Sequence, residues 1–447
     1  MEQHTSAGLL LGLEGVEIID VEVEPDHSRT VWIRTAAQAE VACPECGTPG
    51  QSVKDWRVTC PRDLGSEAAP TRYRWIKRRF RCLQPTCSRR SFTESSPQLP
   101  SRARLTVRLR ERIGIEVAEH GRTVSSAAAT RAVSWPVAHA AFTAHVDPLL
   151  QRPLRPVEVL GIDEHRRGRA RWRLDPDTGK YVMACDRWHT CFYDLSGPQG
   201  LLGQVEGRTS ADAAYWLALT PPAWRHSVQV VVIDMCTIYL AAARRALPCA
   251  RVAVDPFHVV QLGNNKVGEV RRRVTRERHG RRGRVKDPEY AVKNLLVRNK
   301  EDLSMRQLAK MWNALDAEGT SGTRQILAAW IAKEKLRDVL ALSPSRSRST
   351  PTVRQVQDKI YSFLSWCATC DDIPEILSLA ETIDQWRDGI VTAVTLGVSN
   401  ARSEGLNRVA KLEARKAYGL RNPVNQRRRV RWAATRSDRR SHPVTGI

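Results

Sequence analysis

The sequence predicts a multidomain α/β fold, on three observations from the 447-residue chain. Apolar runs rich in valine and isoleucine, such as 157–163 and 228–234, are separated by stretches with helical periodicity. Strands that alternate with helices are typical of a sheet covered by helices. A strand-rich segment with paired cysteines and a short helical segment precede this block, and at roughly 100–200 residues per domain the length allows two to four domains.

The charge of the chain points to a polyanionic partner. Lysine and arginine number 71 against 48 acidic residues, which gives a net charge of +23. A fold does not need this excess, because it raises self-repulsion, but a surface that binds nucleic acid does. No apolar run approaches the ~20 residues that cross a bilayer, and the first residues lack the basic region of a signal peptide. We therefore expect a cytoplasmic protein whose partner is a nucleic acid, either DNA or RNA, and not a membrane.

Four cysteines in the N-terminal part of the chain predict a structural zinc module. Cys43 and Cys46 form one close pair, and Cys82 and Cys87 form another. Structural Zn²⁺ prefers four tetrahedral ligands, which two such pairs supply. The alternative is that these are incidental buried thiols. Cys60 has no near partner in the sequence and is interpreted as a non-ligand.

Basic and aromatic residues alternate on the approach to the second cysteine pair. Tyr73, Trp75 and Phe80 are interleaved with arginine and lysine there. This composition is typical of a surface that binds DNA phosphates. Arg78 and Arg79 are the candidate contacts.

The next segment predicts a helix-turn-helix DNA-binding domain. Two helical stretches and a turn lead to a last helix over 135–146, for which Ser134 is a candidate N-cap. Three helices over about 40 residues have the size of this motif, whose last helix enters the major groove. His139 is then a candidate base contact and Arg131 a candidate phosphate contact. The alternative is plain helical packing.

Two of the apolar runs end in an acid, Asp163 and Asp234. An acid at the end of a strand is well placed for a ligand site, and two-metal phosphoryl chemistry needs carboxylates that hold Mg²⁺ ions roughly 4 Å apart. The alternative is structural, because aspartate also favours turns and helix caps. Four other acids compete by position: Glu164, Asp186, Asp194 and Asp255.

Several motifs, in one order along the chain, resemble the ISL3 family of insertion-sequence transposases. They span 43 to about 431. They are Cys-Pro-Glu-Cys-Gly at 43–47, Arg-Arg-Phe-Arg-Cys at 78–82, the helix-turn-helix, Gly-Ile-Asp-Glu at 161–164, Val-Ile-Asp-Met at 232–235 with Tyr239, Val-Asp-Pro-Phe-His-Val-Val at 254–260, and Ser-Asn-Ala-Arg-Ser-Glu-Gly-Leu-Asn at 399–407 leading to Lys411 and Gly-Leu-Arg-Asn at 419–422.

The resemblance implies an RNase H-like catalytic core with a DDE triad of Asp163, Asp234 and Glu404. Those carboxylates would hold two catalytic Mg²⁺ or Mn²⁺ ions, beside the structural Zn²⁺ of the N-terminal module. Because the spacing from Asp234 to Glu404 is too long for the bare fold, a helical insertion is expected at about 256–395. The implied domains are a zinc-binding module at 1–98, a helix-turn-helix domain at 99–150, the catalytic domain at 151–432 and a basic tail at 433–447.

Further residues around the triad have candidate roles. His258 is a candidate catalytic residue that could approach a phosphate or the attacking water, and it could equally be a structural hydrogen bonder. Asn400 and Asn407 could orient a ligand or DNA. Lys411 and Arg415 extend the same helix as a candidate DNA phosphate track, although charged helical faces are usually only solvated.

The resulting functional prediction is a DNA transposase that binds terminal inverted repeats, nicks them and transfers the strand into target DNA, as a homodimer or higher oligomer on DNA. The resemblance thus implies double-stranded DNA as the partner and association with the nucleoid when the protein is DNA-bound. A non-catalytic zinc and helix-turn-helix DNA-binding regulator is the main alternative, and a ribonuclease on the same fold is a weaker one. Two features depart from the family pattern. Cys236 stands where serine is expected, and the stretch 165–173 is more basic than usual.

Overall fold

The computed structural model describes residues 12–13, 15–36, 41–64, 70–316, 321–420 and 422–441. The chain divides into two compact units. The first comprises 1–152 with 416–419, and the second comprises 153–415 with 420–447. The signal-peptide prediction concerns the first residues of the chain, and residues 1–11 lie outside the described part. Residues 442–447 of the predicted basic tail also lie outside it.

The first unit contains a five-stranded sheet. Its central strand β4 alternates buried and exposed side chains, as expected of a strand with one face on a core. Trp75 of β4 and Ile33 of β2 are fully buried at the centre of that core. The path is β1-β2-β4-β3, with β5 also paired to β4. The strands are β1 Val16–Val23, β2 Arg29–Thr35, β3 Ser52–Thr59, β4 Thr71–Arg81 and β5 Ser91–Thr93.

Three helices follow in the same unit: α1 Val107–Ala118, α2 Val124–Thr130 and α3 Trp135–Leu150. Thr106 and Thr123 cap the first two by accepting a hydrogen bond from a backbone N–H of the first turn. Ser134 occupies the N-cap position of α3, as predicted, but its side chain makes no capping hydrogen bond.

Helix α3 extends beyond the predicted end at Val146 and includes Pro148. The predicted end at Val146 was therefore four residues too early. Leu149 is buried, so packing of the last turn favours continuing the helix.

The second unit is built on a mixed sheet with strand order β10-β9-β6-β11-β12. β11 runs parallel to both β6 and β12, and β9 runs antiparallel to β6 and β10. Two further strands, β7 and β8, form a separate antiparallel ribbon. The strands are β6 Val159–Arg166, β7 Arg171–Leu174, β8 Tyr181–Cys185, β9 Trp188–Asp194, β10 Leu201–Glu206, β11 Val230–Ile233 and β12 Arg251–Val254.

Helices cover this sheet and continue into a large helical region. The next helices are α4 Ser210–Leu219, α5 Pro222–Ser227, α6 Thr237–Ala246, α7 Pro256–His279, α8 Pro288–Ala291, α9 Lys293–Leu296, α10 Met305–Asp316, α11 Ser321–Ala341, α12 Pro344–Ser347, α13 Val353–Ala368, α14 Pro374–Gln385, α15 Arg387–Leu396, α16 Ala401–Lys416, α17 Pro423–Ala434 and α18 Arg436–Ser441, with a 3₁₀ turn at Lys300–Asp302.

One hydrophobic core runs from the sheet into these helices. Helix α15 packs closely on β12 because Gly389 has no side chain: a Cβ there would lie 2.7 Å from Cγ2 of Val254. Lys333 of α11 is buried, and its ammonium donates to the carbonyls of Leu296 and Arg298. None of the described helices is both long enough and apolar enough to span a membrane.

Candidate active site and cysteine cluster

Three aspartates lie side by side at one edge of the second unit's sheet. β11 pairs in parallel with β6 through Val232 and Gly161, and with β12 through Ile233 and Val254. Continuing both registers brings Asp234 beside Asp163 on one flank and beside Asp255 on the other. Neighbouring strands are spaced roughly 4.8 Å apart, so three carboxylates crowd into a short row.

Strand β6 does not end at Asp163, as the sequence had suggested. It continues to Arg166, because its antiparallel pairing with β9 extends beyond the last residue paired with β11. Asp163 therefore lies within a strand, at a position where β6 pairs with β9 but no longer with β11. This fixes its backbone more firmly than a loop would.

Burial makes this row of carboxylates electrostatically costly. Desolvation raises the pKa of Asp163 to about 7, with a further contribution from the charge of Asp234. Desolvation likewise raises the pKa of Asp234 to about 7, and the charges of Asp255 and Glu404 add to it. Among the described residues, Oδ1 of Asp234 is buried and has no hydrogen-bond partner. A divalent cation would satisfy such oxygens and remove the repulsion.

His258 joins the row from the first turn of α7. Its Nε2 lies 3.1 Å from Oδ2 of Asp234. Asp255 immediately precedes this helix, and one ligand atom from each of Asp234, Asp255 and His258 lies within 4.8 Å of the others. Two oxygens and an imidazole nitrogen are a donor set that suits a divalent cation.

Helix α16 is attached to the same row at two points. The backbone N–H of Asn400, just before the helix, donates to Oδ1 of Asp255 at 3.1 Å. Nδ2 of Asn407 donates to Oδ2 of Asp163 at 2.6 Å, and Oδ1 of Asn407 accepts from the hydroxyl of Tyr193. The two attachments lie four residues before and three residues after Glu404, which is the spacing of one helical face.

The carboxylate of Glu404 is more exposed than the aspartates. Its side chain is 55% exposed and pairs with Arg408 at 3.1 Å. Burial is the main cause of the raised pKa of Asp255, and the charge of Glu404 contributes to it. Glu404 thus acts on Asp234 and Asp255 through its charge, but it is not part of the group of Asp234, Asp255 and His258 whose ligand atoms lie within 4.8 Å of one another.

Two of the four competing acids, Asp194 and Asp186, have other partners. Asp194 accepts hydrogen bonds from the backbone N–H groups of Ser196, Gly197 and Gln199, so it closes a turn. Asp186 accepts from the backbone of Trp188. Asp255 differs from these two because it lies in the row itself, a position that the sequence suggested only through the apolar run before it.

The four cysteines converge in the first unit. Cys43 and Cys87 have their sulfurs 4.0 Å apart, and Cys46 and Cys82 have theirs 3.6 Å apart. All four sulfurs lie within 4.8 Å of one another, so the set matches a tetrahedral thiolate site. Cys60 is exposed and is not part of it.

Local structure prepares these thiols for a metal. Gly47 adopts a positive φ of 73°, which lets the chain turn after the first pair. Hydrogen bonds with Thr48 lower the pKa of Cys46 to about 6. A thiol with this pKa is largely deprotonated at neutral pH, as a metal ligand must be. Against a backbone hydrogen bond from Gln84, burial and the neighbouring cysteines raise the pKa of Cys82 to about 12, and the pKa of Cys87 is also raised, so these two thiols favour the protonated form without a metal.

The predicted DNA contacts fall into two groups. Arg78 is bonded to the buried Glu94, Arg79 donates to Ser91, and Arg131 makes two hydrogen bonds to the buried Glu116. Their guanidinium groups thus have partners within the fold. His139 stacks on Trp135 with ring centroids 4.8 Å apart. The two candidate contacts on α16, Lys411 and Arg415, are exposed.

The fold and these two sites describe a DNA-processing enzyme that uses metal ions, and the comparisons with known proteins agree. Residues 160–430, more than half of the chain, match a family model described as a transposase, that of the ISL3 group of DDE enzymes. The chain therefore belongs to the ISL3 family of DDE transposases. The transposase for insertion sequence element IS1001 of Bordetella parapertussis is 22% identical over 414 residues, covering 91% of this chain and 92% of that protein. The family resemblance and the enzymatic function predicted from the motifs are thus confirmed: the chain is an insertion-sequence transposase, and its family implies DNA binding and divalent-metal catalysis.

Proposed function

We propose that Asp163, Asp234 and Glu404 form the catalytic triad of this transposase, on an RNase H-like sheet whose helical insertion spans about 256–395. The observation that supports this most directly is the double attachment of α16, at Asp255 through Asn400 and at Asp163 through Asn407. It brings the helical turn that carries Glu404 close to acids that are far away in sequence. The strand order β10-β9-β6-β11-β12, with β9 antiparallel, supports the sheet assignment.

In this proposal the three carboxylates hold two Mg²⁺ or Mn²⁺ ions. Such ions supply Lewis-acid stabilisation of the phosphodiester and activate the attacking water or 3′-hydroxyl. The fold supplies the arrangement of ligands: β6 and β11 fix the two aspartates, and Asn407 orients one oxygen of Asp163. The raised pKa values of Asp163 and Asp234 indicate how strongly the folded protein would favour added positive charge there.

Asp255 and His258 have supporting roles in the same proposal. Asp255 anchors the start of α16 through the backbone of Asn400. His258 hydrogen-bonds Asp234 and, being about one-third exposed, can also reach a phosphate or the attacking water. We therefore assign His258 to orienting Asp234 and moving a proton during nicking or strand transfer.

The first unit is proposed to bind DNA. The cysteine cluster suggests Zn²⁺, in a structural role because four thiolates leave no open position. Helices α1, α2 and α3 have the size and order of a helix-turn-helix, and Ala132 in the connection between α2 and α3 has a positive φ of 51°. Recognition of terminal inverted repeats is assigned to this unit, with α3 in the major groove, and synapsis of two ends favours a homodimer or higher oligomer.

Cleavage of DNA carrying the element's terminal repeats, measured with Mg²⁺, tests the triad. Asp163→Asn, Asp234→Asn and Glu404→Gln should each lower the rate on the order of 10³-fold or more, because each removes a ligand worth several kcal/mol in the transition state. Glu381→Gln, an exposed glutamate on α14, is the matched control and should cleave normally.

Retention of near-normal cleavage by any triad variant would overturn its assignment. Asp255→Asn measured beside them decides whether a fourth acid belongs to the ligand set, since a loss as large as that of the triad would place it there. A wild-type protein that binds the repeats but never cleaves them would favour the non-catalytic regulator.

A further inference from the structure

The ribbon formed by β7 and β8 carries an apolar face that is open to solvent. Cross-strand pairing joins Trp172 with Met183 and Leu174 with Tyr181. Paired residues on neighbouring strands point to the same face, so all four side chains lie together. Trp172 is 57% exposed and Tyr181 is 71% exposed, and both aliphatic partners are about half exposed. An exposed cluster of this kind marks an interaction surface.

The ribbon is also strongly basic. Residues 166–187 contain seven lysines and arginines against three acids. Asp175, one of the three, is used in the turn, where its carboxylate accepts from the backbone of Asp177 and the hydroxyl of Thr178. Six of the basic residues are exposed: Arg166, Arg169, Arg171, Arg173, Lys180 and Arg187. The apolar face is therefore surrounded by positive charge.

The ribbon is ordered before any partner arrives. At its tip, the N–H of Asp175 donates to the carbonyl of Lys180 and the N–H of Gly179 donates to the carbonyl of Asp175. At its base, the N–H of Arg167 donates to the carbonyl of Arg187, and the Arg167 guanidinium bonds the carbonyl of Leu420. Binding through a preformed surface costs little ordering entropy.

The position of the ribbon links it to the carboxylate row. It is inserted between β6, which carries Asp163, and β9, which pairs with that strand. Trp172 follows Asp163 by nine residues, so at about 3.3 Å per residue it lies within roughly 30 Å of the carboxylate. A DNA end held at Asp163 is within reach of the ribbon.

We propose that the β7–β8 ribbon binds DNA bases that have left the duplex stack near the cleavage point, with Trp172 and Tyr181 stacking on bases and the surrounding arginines contacting phosphates. Aromatic faces beside a basic surface are the general solution for binding unstacked nucleotides. Charge decides against a second copy of the same face, because two such surfaces would repel each other, whereas DNA complements both the charge and the aromatic rings. The proposal rests on the proposed transposase chemistry, since it places the ribbon beside its active site.

Equilibrium binding of the full-length protein, without added Mg²⁺, tests this inference. The probes are a fluorescein-labelled duplex of arbitrary sequence with a single-stranded 3′ tail, and the same duplex with a blunt end, followed by fluorescence anisotropy. Wild type should prefer the tailed probe. Trp172→Ala should weaken binding to the tailed probe about 5- to 100-fold, the range for loss of one stacked base, and affect the blunt probe much less. Trp172→Phe should retain most of the preference.

Tyr361→Ala is the matched control, because Tyr361 is an exposed aromatic residue on α13, and it should bind both probes as wild type does. Equal weakening on both probes, or none on either, overturns the proposal. Loss of self-association in analytical ultracentrifugation, with DNA affinity unchanged, overturns it in favour of an interface between copies. The binding assay contains no Mg²⁺ and measures no cleavage, so failure of the triad assignment in the cleavage assay and failure of this inference give different results.

Discussion

The carboxylate row and the cysteine cluster both bring several anionic ligand groups together, but the fold assembles the two sites in different ways. The cysteines come from two short segments and pack on Phe80 and Phe92 in a small core of their own. The acids come from three strands and a helix, set on a core that extends through the second unit. If both sites hold the metals proposed for them, this difference teaches that the metal would supply folding energy at the first site, whereas at the second the fold already holds the ligands together and the metal would serve chemistry.

The two sites also differ in the charge state that individual ligand groups favour. Hydrogen bonds with Thr48 lower the pKa of Cys46, so the thiolate is favoured at neutral pH. Burial raises the pKa of Asp163 and of Asp234 to about 7, so the charged forms are disfavoured there. Cys46 thus accepts its charge readily, but the pKa of Cys82 is raised to about 12 and that of Cys87 is also raised, so the contrast with the aspartates holds at Cys46 and not for the whole cysteine cluster.

Removal of the zinc ligand Cys43 should have the largest effect. Structural Zn²⁺ contributes an apparent free energy of about 10–16 kcal/mol in small zinc modules, and the small core around the cysteines cannot replace it. Cys43→Ser should therefore release the metal and expose residues around 41–93 to limited proteolysis, while fragments of the second unit stay resistant. Elemental analysis should give about one zinc per chain in wild type and in Cys60→Ser, and full retention of zinc by Cys43→Ser would mean that the ligands were wrongly chosen.

The carboxylate row should make the stability of the metal-free protein depend on pH. Because the folded-state pKa values of Asp163 and Asp234 are raised from about 4 to about 7, the folded protein binds more protons in this window. The contribution of these two carboxyl groups to the free energy of unfolding is fully present below pH 4 and is lost as the pH rises through 7. The loss is on the order of 1–4 kcal/mol per group.

Urea denaturation between pH 4 and pH 8, without divalent ions, measures this effect. The difference between wild type and Asp234→Asn isolates it from other titrating groups, and the variant should become the more stable protein towards pH 8. Asp358→Asn, an exposed aspartate on α13, should follow wild type throughout. Parallel curves for Asp234→Asn and wild type would show that the row is not strained.

Asn407 of α16 orients the carboxylate of Asp163 on β6, so a side chain from a distant helix supports a ligand on a strand. Its amide donates to Asp163 and accepts from Tyr193, so Asn407→Leu should leave Asp163 in place but poorly oriented. Loss of such a supporting hydrogen bond typically lowers metal affinity or activity 10- to 100-fold. The Mg²⁺ concentration for half-maximal cleavage should rise, while Asn313→Ala, at an exposed position of α10, should not change it. An unchanged Mg²⁺ requirement in Asn407→Leu would contradict the orienting role.

The same contrast explains what could be predicted from the sequence. The cysteine pairs and the runs before Asp163 and Asp234 are local signals, so the chain reveals them directly. The attachment of α16 joins residues 145 and 244 positions apart, and neither contact leaves a local pattern. Asp255 had the same local signal as Asp234, but only strand pairing separates it from the turn-forming Asp194. The strands β7 and β10 do not stand out in the sequence, because arginines interrupt the apolar pattern of the first and a glycine interrupts that of the second.

Thr48 offers the smallest and most local change at the cysteine cluster. Its hydrogen bonds are the largest cause of the lowered pKa of Cys46, so Thr48→Val should raise that pKa without removing a ligand. Because protons compete with the metal for the thiolate, apparent zinc affinity near pH 7 should fall by less than about tenfold, and the deficit should shrink as the pH is raised. Competition with a chromophoric chelator at pH 6.5 and pH 8.5 measures both affinities.

Thr93→Val, at a partly buried threonine of the same unit, is the control for Thr48→Val. A deficit that is equal at both pH values would mean that Thr48 acts through packing, and the contrast between a readily ionised Cys46 and the buried aspartates would then lose its electrostatic basis.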